Sequence, residues 1–461
     1  MCSVLSQEHH YGLRAGEDRG SLHELSLMHE VLSAGGYRGG SIVRVGVIGA
    51  GIGGLLVGAK LSRMGCDVEI YERLPFAGGR FTNIEYRGYQ LSTGALHMIP
   101  HGERGPLGRM LAELGARVEI VPSKPSATIR IPRGNSFEDL EFSEFISRLG
   151  FWKGLMYRLL ILEARLSIGT GSSFRDWIAR RLSDEGMAKL ADSSCGWALS
   201  VTSGEVSASE GVSIIANILK YGGSGVPMGG CRSVVNALIQ VIEESGGRIY
   251  TNKKVDGILV EDCTAESLCI GGEDITYDLI ISDLGHRETQ RLIRGDGHIG
   301  CSGVKRYEEE VASMHPTSGV KINIGSSESL IDHTGILLTP YAERVNGLNQ
   351  VTNVDPSLAP PGKHLIMAHM AMRGNDPEEE VRLGLEDLEM LFPNAEYEVL
   401  MVQTYRDGWP VNRCAPGEDI GNRTPYDRLF VVGDGAKGRG GIEVDGIALG
   451  VEKTVEAIMQ M

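Results

Sequence analysis

The segment VIGAGIGG, Val47 to Gly54, sets glycines at 49, 51 and 54 between an apolar run that begins at Ile42 and a helical pattern from Leu55 to Met64. Few folds tolerate that order. Gly49 permits a tight turn, Gly51 lets the backbone approach a pyrophosphate, and Gly54 lets the helix pack close to the strand. Gly53 lies within the same turn. Free N–H groups at the start of such a helix, aided by its dipole, hold phosphate. The next strand, VEIYE, ends at Glu72, 23 residues after Gly49. A carboxylate there can accept the hydrogens of a ribose diol, and Arg73 beside it joins the expected contact set. Strand, glycine turn, helix and acidic strand end read together as a dinucleotide-binding β-α-β unit.

Two further segments select a flavin dinucleotide over a nicotinamide one. Gly78-Gly79-Arg80 follows Glu72 closely; two glycines bring the chain against a diphosphate and a flavin, and an arginine there neutralises phosphate charge. LFVVGDGA, Leu429 to Ala436, is a buried strand that delivers Gly433 and Asp434 to its C-terminal end. An aspartate so placed can bind a ribityl chain, although alone it could equally cap a helix. The three segments in this order point to FAD. Only one GxGxxG follows a strand, so a second dinucleotide domain for NAD(P)H is not expected.

The chain has 461 residues, too many for one compact core. Its apolar runs alternate between helical and strand spacing, and strands suited to the first unit recur near Leu279 and Leu429. The expected fold class is α/β: a Rossmann-like FAD-binding domain (41–95, 216–290 and 416–461) interrupted by a mixed α+β substrate-binding domain (96–215 and 291–415). Residues 1–40 are expected to form a disordered N-terminal extension. A net charge of −15 excludes a phosphate-tracking nucleic-acid binder, which needs a dense basic face. The eight cysteines include no CxxC pair, which favours reduced thiols and offers no metal module. Without a run of about 18 apolar residues or a basic start followed by an apolar core, the chain reads as cytoplasmic.

On these residues the sequence resembles the flavin-containing amine oxidase and phytoene desaturase superfamily, and most closely its archaeal and bacterial phytoene-desaturase-like branch. The likeness runs from about residue 43 to 461. It rests on VIGAGIGG with Glu72, on ERLPFAGGRF, on PMGGCRSVVNAL from Pro227 followed by GGRI and Val255, and on VVGDGAKGRGGIEVDGIALG from Val431. The resemblance implies one FAD domain and one substrate domain, a main-chain contact from Val255 to adenine, and contacts from Gly441 and Ile442 to the flavin pyrimidine edge. Two departures stand out. Ser92-Thr93-Gly94 occupies a place where many desaturases have Asp-x-Gly, and Asp445-Gly446 one where they have Ser-Gly. The cysteine of covalent amine oxidases has no match, Cys414 lying in a different local pattern, so noncovalent FAD is expected.

Candidate reactive residues come from segments leading into these motifs: Ser92, His97 and Met98, then Trp409, Glu443 and Asp445. His97 could move a proton near neutral pH or be a hydrogen-bonded structural histidine. Trp409 could wall a substrate site or pack a corner; Glu443 and Asp445 could act at the flavin or solvate a turn. Between Gly150 and Ile168, Phe151, Leu155, Leu159, Leu162 and Leu166 form one helical stripe. Such a helix can rest in a membrane interface and admit a lipid, or pack as a core helix. The expected activity is oxidoreduction of C=C bonds in an isoprenoid or other apolar chain, by desaturation or saturation. Redox-neutral hydration or isomerisation of an isoprenoid lipid, amine oxidation and non-enzymatic prenyl binding are the alternatives. The expected partners are an apolar or lipid substrate and, peripherally, a membrane, with no nucleic acid.

Overall fold

The computed structural model describes residues 42–95, 97–166, 172–295, 300–406 and 419–461. The 1–40 segment, Trp409 and Cys414 lie outside the described residues. At the centre is a parallel five-stranded sheet in the order Leu429–Val431, Leu279–Ser282, Arg44–Ile48, Asp67–Tyr71, Arg248–Tyr250. All but the edge strand Arg248–Tyr250 are almost continuously buried, as parallel strands covered on both faces must be. The helix Ile52–Arg63 packs against Cys231–Glu244 and Glu443–Ile458. In Cys231–Glu244 the buried Val234, Val235, Leu238, Val241 and Ile242 recur at helical spacing and form one apolar face.

The helix Pro106–Leu114 shares this core through Leu107, Met110, Leu111 and Leu114. The sequence boundaries had placed it with the substrate segments; its apolar face instead closes the nucleotide sheet. A small sheet, Glu273–Thr276, Thr264–Ile270, Val255–Glu261, Ile293–Arg294, leans on the first. It also joins Cys263 to Cys301 in a disulfide, which corrects the expectation of reduced thiols. The partners are 38 residues apart in sequence, and no local spacing signals the pair.

A seven-stranded sheet builds the other side of the molecule, in the order Tyr397–Tyr405, Gly319–Ser326, His364–Ala371, Gly347–Gln350, Ile336–Leu338, Ala127–Arg133, Ser136–Glu141. Alternation along its strands sorts two faces. Val320, Ile322 and Ile324 pair with Met370, Ala368 and Ile366 and pack under the helix Pro377–Leu391. The opposite face carries Lys321, His369 and Gln403 side by side.

The helical stripe expected from Phe151 lies on the second of two helices, Phe142–Arg148 and Phe151–Arg165, which are broken where Gly150 takes φ 86°. The second helix buries Leu160 and Ala164 but exposes much of its apolar surface: Phe151 is 79% and Trp152 73% accessible, and Leu155, Leu159, Leu162 and the following Leu166 are exposed with them. Ile218 and Leu219 of the neighbouring helix Ala208–Tyr221 extend the patch.

Candidate functional site

The glycine turn after Arg44–Ile48 is held from both sides. Gly49 N–H donates to Tyr71 O, and Gly78 N–H donates to Ala50 O, so the Gly78-Gly79 segment lies directly on the first glycine motif. A side chain at Gly54 would run into the Gly49 carbonyl, and one at Gly53 into Gly433. Three glycine segments distant in sequence thus converge. Beside them opens a cavity of about 620 Å³, within the roughly 300–1,000 Å³ usual for small-molecule and cofactor sites. Gly49, Gly51, Glu72, Arg73, Gly78, Gly79, Arg80, Val255, Asp434 and Glu443 all border it.

Carboxylates on strand ends organise this cavity. Glu72 accepts hydrogen bonds from Ala50 N at 3.0 Å and Leu74 N at 2.8 Å, which fixes the carboxylate and ties the strand end to the glycine turn. Asp434 pairs with Arg80 at 2.7 Å, with Lys437 further off at 3.7 Å. The sequence reading missed Asp283, which ends the strand Leu279–Ser282 as Asp434 follows Leu429–Val431. Its carboxyl group is wedged against Gly51, Gly53 and Gly433. The residue borders the cavity and so is half-buried as a whole, but its carboxyl is enclosed. That enclosure, reinforced by Glu72 and Asp434, outweighs the Gly54 N–H and Arg80 and pushes its pKa up to about 8.

The polar face of the seven-stranded sheet abuts the far wall. Lys321 is fully buried, and its Nζ donates to Ser92 O at 2.6 Å, Ser92 Oγ at 2.8 Å and Gly94 O at 2.5 Å. Its acceptors are all neutral, and burial draws its pKa down to about 7. The Ser92-Thr93-Gly94 departure therefore has a structural partner. It lies 229 residues away in sequence.

Other candidates fall elsewhere. His97 does not border the cavity; it is fully buried, and desolvation with Lys321 nearby holds its pKa near 3, which leaves it neutral. Met98 does border the cavity. Asp445 points away from it, accepting from His101 N at 3.0 Å and Leu107 N at 2.8 Å. This carboxylate satisfies the Leu107 N–H in the first turn of Pro106–Leu114, a capping duty, and the His101 N–H shortly before that helix; burial raises its pKa to about 7. Ile442 is buried in the apolar core beside the large sheet, and Gly441 packs on Gly446. No His/Cys/Asp/Glu cluster suited to a metal occurs among the described residues.

The donor set and the close glycine packing fit a flavin dinucleotide: backbone N–H groups at a helix start, a fixed carboxylate at a strand end and basic residues Arg73, Lys253 and Lys254 on the rim. Known proteins agree with this geometry. An oxidoreductase from Methanosarcina mazei superposes with a TM-score of 0.86 at 46% identity, over 90% of this chain and all of that one. An uncharacterized protein of Methanocaldococcus jannaschii is 44% identical over 418 residues, 90% of this chain and 99% of the relative. A neurosporene-forming phytoene desaturase of Rhodobacter capsulatus is 25% identical over 285 residues, 54% of each chain. The pattern described as flavin containing amine oxidoreductase matches residues 52–446, and with that span the chain belongs to the flavin-containing amine oxidoreductase family, as an oxidoreductase whose cofactor is FAD.

Proposed function

We propose that this oxidoreductase acts on C=C bonds of an isoprenoid or similarly apolar chain, by desaturation or saturation, with FAD held noncovalently. The observation that carries the reading is the similarity to a phytoene desaturase in a chain whose cavity wall combines Phe81, Met98, Val444 and Ile447. FAD supplies hydride exchange. The protein's part is to clamp the dinucleotide with Glu72, Arg80 and Asp434, to exclude water with the apolar wall, and to hold a titratable amine, Lys321, behind Ser92.

The exposed helix Phe151–Arg165 supports a peripheral approach to a lipid phase. Phe, Trp and Leu face outward there, and the exposed cations Arg158 and Lys220 lie in the same two helices, a composition suited to the membrane interface. The described helices include none long and apolar enough to span a bilayer. A second reading, redox-neutral isomerisation or hydration of the same substrates, draws on the buried polar face with Lys321. One experiment separates them: purified holoprotein is incubated with polyprenyl lipids with flavin absorbance and product mass followed together. A loss or gain of two hydrogens coupled to a flavin redox change supports desaturation or saturation. An isomer or a product heavier by one water, without flavin turnover, favours the second reading, and flavin reduction by simple amines alone would overturn both.

A further inference from the structure

A second, much smaller cavity of about 20 Å³ lies against the cofactor cavity, sharing Arg80, Gly94 and Ala95 with it. Its remaining lining is Ser200, Thr317, Gly319, His369 and Tyr405. None of these belongs to the glycine and acid clamp. All four side chains with polar atoms are buried.

Ser200 Oγ and His369 Nε2 are 2.9 Å apart. Ser200 closes the helix Glu185–Leu199 in the left-handed region, at φ 57°, a conformation of some energetic cost for a residue with a side chain. The cost places its hydroxyl at this cavity. Trp197 packs edge-on against the His369 ring at 6.3 Å and fixes its plane. Gly319 keeps the space open, since a side chain there would come within 3.0 Å of His369 and 3.3 Å of Ser200 Oγ. Thr317 is 6% accessible, and its hydroxyl has no hydrogen-bond partner among the described residues. A buried hydroxyl left in that state is destabilising, so something is expected to satisfy it.

Size and charge identify the class of group. About 10–15 Å³ of such space holds one water-sized group, so this cavity takes a single oxygen and excludes a phosphate. Among the described residues the one cation on its lining, Arg80, is already paired with Asp434. What remains is the Thr317 hydroxyl, which can donate or accept, beside the Ser200–His369 pair. We infer that this cavity is a subsite for one uncharged oxygen of the substrate, a hydroxyl or a carbonyl, which anchors an otherwise apolar chain beside the flavin cavity. The inference rests on the oxidoreductase reading above and narrows its substrate from hydrocarbons to oxygen-bearing isoprenoids.

The test titrates holoprotein with matched pairs, geranylgeraniol against a twenty-carbon isoprenoid hydrocarbon and benzyl alcohol against toluene, reading perturbation of the flavin spectrum. Wild type should bind the oxygen-bearing member of a pair at least tenfold more tightly. Thr317→Val, close in shape, should reduce that preference about fivefold or more with flavin content and hydrocarbon affinity unchanged; His369→Gln serves as a second variant if the first loses flavin. No preference in either pair, or a preference that neither variant alters, would mean that the cavity holds only a water and overturns the subsite. Preference retained for benzyl alcohol with neither isoprenoid bound would sustain the subsite and defeat the isoprenoid reading alone.

Discussion

Asp283 gives the sharpest quantitative test of how the cofactor clamp is built. The unfolded chain releases this proton near 3.8, whereas the folded chain holds it up to about 8. Between those values the folded state binds more protons than the unfolded one, so stability falls as pH rises. The stability linked to protonated Asp283 is complete below pH 4 and is lost as pH climbs through 8. At pH 7 the loss spans about three pH units, or about 4 kcal/mol at about 1.36 kcal/mol per unit. Solvent in the neighbouring cavity screens part of this, which brings the expected effect to about 2–4 kcal/mol. Asp283→Asn keeps the shape of the protonated group and removes the titration. In flavin-free protein, the variant and wild type should unfold at similar urea concentrations near pH 4.5, and the variant should be the more resistant at pH 7. FAD affinity should also decline above pH 8 in wild type only, because the cofactor brings anionic phosphates to a cavity where the carboxylate has ionised. Parallel stability profiles in the two proteins would refute the reasoning and show Asp283 ionised against Arg80 throughout.

Glu72→Ala should weaken FAD binding by about 1.5–3 kcal/mol, the range for hydrogen bonds to charged groups, measured by fluorescence titration; unchanged affinity would exclude Glu72 as a cofactor partner. Asp445→Ala orphans the buried N–H groups of His101 and Leu107 and should cost about 1–3 kcal/mol of stability, while turnover per bound flavin stays at the wild-type value. A parallel fall in turnover would restore Asp445 to the reaction. Trp152→Asp with Leu162→Asp alters exposed side chains and should change stability by no more than about 1 kcal/mol in total, yet abolish co-sedimentation with anionic lipid vesicles. Full co-sedimentation of that variant would leave the helix without a membrane role.

The parts of the site readable in sequence are those whose neighbours are close along the chain or announced by glycine. VIGAGIGG, Glu72 and Gly78-Gly79-Arg80 lie within one β-α-β unit, and Asp434 is marked by its own buried strand and glycine. Asp283 ends a strand the alternation does reveal, and the same rule that singled out Asp434 could have found it. Nothing comparable marks Lys321. A lysine between Val320 and Ile322 reads as the solvent-facing member of an alternating strand, and only the covering of both sheet faces puts it inside. Cys263 and Cys301 are likewise joined by sheet packing, and Asp445 owes its capping role to a helix that begins more than 300 positions earlier in the chain. The strands Ala127–Arg133 and Ser136–Glu141 leave little trace in the sequence because charged and polar residues at the sheet edge dilute their pattern.

Ser92 and Lys321 together decide whether the wall beside the cofactor cavity carries a fixed or a switchable charge. With neutral acceptors only, the amine sits near pH 7; the unfolded chain keeps that proton to about 10.5, so this residue makes stability rise with pH between those values. A carboxylate in place of the Ser92 hydroxyl, 2.8 Å from Nζ, would favour the ammonium and raise its pKa by about 1–3 units. The holoprotein should therefore show a flavin absorbance transition near pH 7 in wild type, displaced upward by at least one unit in Ser92→Asp and absent in Lys321→Met. Retention of the same transition in both variants would assign it to another group and separate the serine at this position from any control of proton supply at the flavin.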